Sequence, residues 1–287
     1  MAALPTGFTG DPDRLLAAAG AVLDGISPRF IEGVGAPASV TKGPADFATD
    51  LDLELERRIT GEIADATGIP VHGEEFGGPP VDESTVWILD PIDGTFNYSA
   101  GFPATGTLLG LVHDGRPVAG LAWFPLVGDS ISGHVAGQVH NRGVAVPPLA
   151  HKSLVDSMIA VGSFSRGSNG HFPGDYRFAI LGEVSRRVAR VRQFGSTGVD
   201  LAYTATGVFG GAVVFGHHPW DNAAGAALVI AGGGRVTDLA GAEWHTASDS
   251  VLAGGPGVYD ELLDIVRSVG APSDFRGEPG HPGVLSY

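Results

Sequence analysis

Cysteine is absent from the 287 residues. That excludes a disulfide framework, a thiolate zinc site and a cysteine nucleophile, and it fits a cytoplasmic protein. Long apolar runs are missing as well. None approaches the ~20 residues that a bilayer-spanning helix needs, so no membrane association is expected. Met1 to Asp13 shows no basic stretch followed by an apolar one, which leaves no secretory signal to be read there. Basic side chains are scarce: 17 Lys and Arg stand against 32 Asp and Glu, a net charge of −15. Nucleic-acid binding rests on cations that neutralise phosphates, so this balance argues against such a partner. A small phosphate ligand would be repelled too, unless divalent cations stood between. The P-loop pattern G-x-x-x-x-G-K-[ST] and the zinc-protease pattern H-E-x-x-H do not occur, and the ten His are scattered.

What remains is a globular composition, 43% hydrophobic and 17% charged, long enough for a substantial core. Leu15, Leu16, Ala19 and Leu23 recur at helical spacing after Asp11-Pro12. Leu51, Leu55, Ile59 and Ile63 mark a second helix over Asp50 to Ala66, and acids crowd its start. Favourable interaction with the helix N-terminus accounts for Glu54 and Glu56. Short strands are expected at Ile69 to His72 and Thr85 to Asp90, with a hairpin at Thr107 to His113 and Val118 to Phe124. After about residue 150 the pattern changes. Strands at Met158 to Val161, Gly210 to Phe215 and Arg235 to Asp238 then alternate with helices at Tyr176 to Leu181, Val199 to Thr206, Asp221 to Ala231 and Gly257 to Val269. Two lobes, 1–150 and 151–287, within one compact catalytic unit are the expected organisation.

One stretch stands out. Trp87-Ile88-Leu89-Asp90-Pro91-Ile92-Asp93-Gly94-Thr95 runs an apolar strand into two carboxylates and a Gly-Thr turn. Pro91, with fixed φ and no N–H, should stop the ladder where Asp90 emerges. Asp90, Asp93 and the Ile92 carbonyl could then converge on a Mg²⁺ ion, with Gly94 and Thr95 offering N–H groups to a phosphate. A capped bend explains the same residues equally well in isolation. Glu74 after His72-Gly73 could add a third carboxylate. Asp221 opens an Ala-rich helix, and Gly195-Ser196-Thr197-Gly198 precedes another.

Together, Gly73-Glu74-Glu75, Trp87 to Asn97, Gly195 to Gly198 and Trp220-Asp221-Asn222-Ala223-Ala224-Gly225 resemble the ordered signatures of the inositol monophosphatase family, most of all its actinobacterial members. The likeness spans most of the chain and includes Asp46-Phe47-Ala48-Thr49. It implies a mixed α/β fold, the layered αβαβα sandwich of the inositol monophosphatase and fructose-1,6-bisphosphatase type. It also implies a lithium-sensitive homodimer that hydrolyses a small phosphate monoester, inositol 1-phosphate first among them, by a metal-activated water. Glu74, Asp90, the Ile92 carbonyl, Asp93 and Asp221 would hold two or three Mg²⁺ ions per subunit. Asp93, Gly94 and Thr95 would receive phosphate, and Ser196, Thr197 and Gly198 would contact substrate. Asp52 would accept a hydrogen bond from Thr95, which with Glu74 activates the water. Asp46 would sit on a loop that helps hold the weakest metal.

One position departs from the family. Animal-type members carry a Glu, seven residues before the catalytic Asp, that touches the inositol hydroxyls, and here Val214 occupies it. Histidinol-phosphate, fructose-1,6-bisphosphate and nucleotide 3′-phosphate hydrolysis therefore stay open, as does a noncatalytic regulatory role. A haloacid-dehalogenase reading of Asp50-Leu51-Asp52 fits poorly, because that pair opens a helix instead of ending an apolar strand.

Overall fold

The computed structural model describes residues 2–37, 40–43, 46–164, 167 and 171–276. Two helices cover one side: α1 (Pro12–Glu32), capped by Asp11, and α2 (Asp50–Thr67), capped by Thr49. Between them β1 (Val40–Gly43) pairs antiparallel with β2 (Asp46–Ala48). The next layer is a sheet built in chain order, with β3 (Val71–Gly73), β4 (Thr85–Asp93), β5 (Gly106–His113), β6 (Arg116–Phe124), β7 (Asp129–His134), β8 (His140–Asn141) and β9 (Val144–Ala145). Its β3–β4 pair is parallel and the others are antiparallel. A single short helix, α3 (Thr95–Ser99), follows β4.

The later residues supply β10 (Met158–Val161), α4 (Gly174–Ser185), β11 (Arg190–Arg192), α5 (Thr197–Ala205), β12 (Gly211–Val214), α6 (Pro219–Ala231), β13 (Arg235–Thr237), β14 (Val251–Gly254) and α7 (Tyr259–Val269). Their strands form a second sheet in the order β11-β10-β12-β14-β13. Helices α5 and α6 lie between the two sheets, while α4 and α7 cover the far side. The stack is the expected αβαβα sandwich. Among the described residues no helix is long and apolar enough to cross a membrane.

Alternation along β4 assigns each face. Val86 and Ile88 point inward with Leu201, Ala223 and Ala224, whereas Trp87 and Leu89 point outward onto Leu23, Phe30 and Leu55. Asp90, next in the even series, belongs on the inward face, where α6 begins. The helix lies very close to the sheet. A Cβ on Gly110 would stand 2.7 Å from the Ala224 nitrogen, and one on Gly120 would stand 2.1 Å from the Ala224 carbonyl oxygen. Both contacts are with backbone, so α6 would have to move. Gly120→Ala should therefore cost about 3 kcal/mol of stability in denaturant unfolding, at the upper end of ordinary overpacking penalties. A loss below about 1 kcal/mol would contradict the approach of α6 to β6.

The structure also corrects some expectations. The first helix extends beyond the stripe from Leu15 to Leu23, past Pro28 to Glu32. Strands β11 and β14 were not expected from the sequence. Most consequentially, Pro91 does not end β4. The strand pairs Asp90 with Leu108 and Asp93 with Gly106, so Pro91 and Ile92 face Thr107 alone across a β-bulge.

Candidate metal centre and active site

The bulge decides where the acids point. On a regular strand, residues three apart lie on opposite faces, and Asp93 would turn away from Asp90. The extra residue restores the match. Ile92 instead packs outward with Trp87 and Leu89, and Asp93 turns inward toward α5. The irregular backbone keeps its partners, because Thr107 Oγ1 donates to the Pro91 carbonyl at 2.9 Å and Thr105 Oγ1 donates to the Asp93 carbonyl at 2.7 Å.

Asp221 arrives from the first turn of α6, whose start is fixed by Pro219 at the opening of the helix. One oxygen each of Asp90, Asp93 and Asp221 then lies within 4.8 Å of the others. Asp90 and Asp93 are buried, and burial pushes both carboxyls up. For Asp90 the repulsion of Glu74, Asp93 and Asp221 pushes further in the same direction. Asp93 is raised to about 7 by burial, although hydrogen bonds from Ser196, Gly198 and Thr197 oppose the rise. Carboxylates crowded in this way suit a hard divalent cation, which favours oxygen ligands, and the cluster contains no His. Above it opens a cavity of about 830 Å³, lined on the acidic side by Glu74, Glu75, Asp93, Gly94, Thr95 and Asp221.

Several sequence-predicted residues take unexpected partners. The Gly195–Gly198 turn is directed at Asp93. Ser196 Oγ donates to Asp93 Oδ2, Gly198 N–H donates to the same oxygen at 3.1 Å, and Thr197 N–H reaches Oδ1 at 3.2 Å. The N-terminus of α5 thus receives a protein carboxylate in the position expected for a substrate anion. Asp52 and Thr95 are not hydrogen-bonded to each other. Thr95 Oγ1 donates to the Ile92 carbonyl at 3.0 Å, and Asp52 closes a capping box with Thr49. Buried at that cap, Asp52 is raised to about 6 mainly by desolvation, against the lowering effect of Thr49. Gly94 adopts φ +75 as the turn requires, and a Cβ there would approach the Ala104 carbonyl oxygen to 3.1 Å. The side chain of Asp46 lies outside the described part of the structure.

Sequence reasoning missed other groups. Glu56 is buried and accepts the Glu75 and Phe76 N–H groups, each at 2.8 Å, so helix polarity does not account for it. Its spacing from Asp52 by one helical turn, beside the apolar stripe, was the available signal. Asn97 Nδ2 donates to the Ala104 and Phe194 carbonyls at 2.8 and 2.7 Å and thereby joins α3 to the turn before α5. Asp200, buried at the cavity wall, has its carboxyl pushed well up by burial and by Asp93. The cavity lining also includes Val214 and Phe215, both buried, with the Arg177 guanidinium 5.3 Å from the Phe215 ring centroid. His217 and His218 are exposed, and His218 stacks on Trp220 with ring centroids 4.6 Å apart.

The model of the inositol monophosphatase family matches residues 13–270. An inositol-1-monophosphatase, ImpA, from Mycolicibacterium smegmatis is 52% identical over 268 residues, covering 92% of this chain and 97% of its own length. A probable inositol 1-monophosphatase, ImpA, from Mycobacterium tuberculosis is 51% identical over 261 residues, covering 91% and 97%. The solved structure of an IMPase from Thermotoga maritima superposes with a TM-score of 0.78 at 26% identity, covering 90% of this chain and 98% of that one. Fold, acidic cluster and likeness define a phosphoric monoester hydrolase. The chain belongs to the inositol monophosphatase family, whose members are Mg²⁺-dependent.

Proposed function

We propose that the substrate is inositol 1-phosphate, hydrolysed to myo-inositol and phosphate with Mg²⁺ as the cofactor. The observation that carries this reading is the convergence of Asp90, Asp93 and Asp221 beside an open cavity that Asp93 and Asp221 help to line. Glu74, Asp90, the Ile92 carbonyl, Asp93 and Asp221 would hold two or three ions per subunit, and Gly94 and Thr95 would receive the phosphate. When bound, Mg²⁺ would neutralise phosphate oxygens, acidify an attacking water and relieve charge on the departing alkoxide. Thr95 and Glu74 would orient that water. Asp93 keeps its inward position through Ser196, Thr197 and Gly198, which act by placing the ligand. Asp52, held by Thr49, fixes the start of α2 beside the site. Asp46 would contribute to the weakest metal position.

The choice of inositol 1-phosphate is supported by the two mycobacterial relatives, which bear that activity in their names. The Val214 side chain supplies no hydrogen bond to a polyol, so the hydroxyls would be met by Ser163, Arg177 or His217, which line the same cavity. Lithium inhibition, a homodimeric state and a cytoplasmic location complete the reading, on the strength of the family resemblance. Phosphate release from a panel of inositol, histidinol, sugar and nucleotide phosphates tests it. The kcat/KM for inositol 1-phosphate should exceed the others by at least about tenfold, which corresponds to about 1.4 kcal/mol in transition-state binding. A higher value for any other member of the panel would replace the assignment.

A further inference from the structure

We propose that Glu56 is a positioning residue that sets metal affinity by shaping the turn bearing Glu74. This rests on the reading of Glu74 as a metal ligand. The turn leaves β3 at Gly73 and is pinned from three directions. Glu74 N–H donates to the Leu89 carbonyl at 3.1 Å, which ties its backbone to β4 just before Asp90. Gly73 and Gly77 exchange N–H to carbonyl bonds of 3.0 and 3.1 Å, which close the loop on itself. Glu56 Oε2 and Oε1 then accept the Glu75 and Phe76 N–H groups at 2.8 Å each.

The carboxylate fills its site closely. A Cβ on Gly73 would fall 2.0 Å from Glu56 Oε1, so the glycine leaves the space that the acid occupies. The next residue of α2 adds an outer clamp, with the Arg57 guanidinium 4.4 Å from the Phe76 ring centroid. Glu56 lies one helical turn from Asp52, and one rigid helix therefore supports the turn. Two successive N–H groups gathered by one carboxylate fix the orientation of the peptide planes just after Glu74, and hence the direction of its side chain. Glutamine in this place offers one acceptor oxygen and turns an NH₂ toward the second N–H.

The test measures binding of Mn²⁺ alone to the full chain, by electron paramagnetic resonance of the free ion. Four variants are compared with the parent: Glu74→Gln, Glu56→Gln, Glu56→Asp and the exposed control Glu54→Gln. Glu74→Gln should weaken Mn²⁺ binding at least tenfold, Glu56→Gln about fivefold to tenfold, and Glu54→Gln less than twofold. Glu56→Asp keeps both acceptors but is one methylene short, and should fall between Glu56→Gln and the parent. It decides the matter if Glu56→Gln does not fold. Hydrogen exchange at the Glu75 and Phe76 amides should quicken in the Glu56 variants. Parent-like Mn²⁺ affinity in the folded Glu56 variants, with Glu74→Gln weakened, would overturn the positioning role and keep the ligand reading. Unchanged affinity in Glu74→Gln would overturn both.

Discussion

Asp221→Asn should lower phosphate release by about a thousandfold at saturating Mg²⁺, equivalent to about 4 kcal/mol of transition-state stabilisation. Asparagine retains the shape of the side chain and one oxygen, but not the charge. Asp221 is the member of the acidic cluster best suited to this measurement. Asp93 also accepts three hydrogen bonds from the turn and helix start at residues 196–198, so its replacement would disturb the packing of the two halves as well as the chemistry. Asp90 receives the Ile92 N–H at 3.0 Å and helps to fix the bulge. Asp221 is only partly buried and stands at a helix start that Pro219 already defines. Because the substitution removes one of three mutually repelling acids, metal-free thermal stability should stay level or rise. Circular dichroism and the thermal midpoint measure the fold, and a phosphate assay measures turnover. Near-normal release would remove Asp221 from the mechanism.

Chelation of divalent ions should abolish phosphate release, and addition of Mg²⁺ should restore it. The same ion should raise the thermal midpoint. Asp90, Asp93 and Asp221 are held close together, and burial disfavours the charged forms of Asp90 and Asp93. A cation that binds the folded chain and not the unfolded one stabilises it by RT ln(1 + [L]/Kd), about 2.7 kcal/mol at a hundred times Kd. Calcium, which accepts oxygen ligands with looser geometry, should also raise the midpoint. Activity that survives complete chelation would reject metal-assisted hydrolysis, and a midpoint indifferent to Mg²⁺ would reject the buried cluster as its site.

Much of this was legible in the order of residues. The apolar stripe of α2, the run from Val86 to Leu89 and the Ala-rich helix after Asp221 each follow from periodicity or composition, and the structure places them as read. The acids Asp90, Asp93 and Asp221 were recognisable because strand ends and helix starts are where a fold can present charge. What could not be read was how hydrogen-bond donors are divided among competing acceptors. Ser196, Thr197 and Gly198 look like an anion site in the sequence, and which anion fills it depends on a strand more than a hundred residues earlier. Thr95 likewise had two acceptors within plausible reach, and local geometry gave its proton to Ile92. Glu56 was misread because the start of an acidic helix offers a sufficient local reason for any Glu. Only the three-dimensional placement of the Glu75 and Phe76 amides reveals the longer-range one.

The bulge at Pro91 and Ile92 makes the catalytic centre sensitive to insertion and deletion as well as to substitution. Removing one of those two residues would leave every carboxylate in the chain, and the neighbouring strand could still pair. Yet Asp93 would rotate toward Trp87, Leu89 and Phe30, out of reach of Asp90 and α5. In an alignment such a variant would keep all its signature acids while having lost the centre they form. For this fold, an intact set of acidic residues is informative about activity only together with the count of residues between the first two.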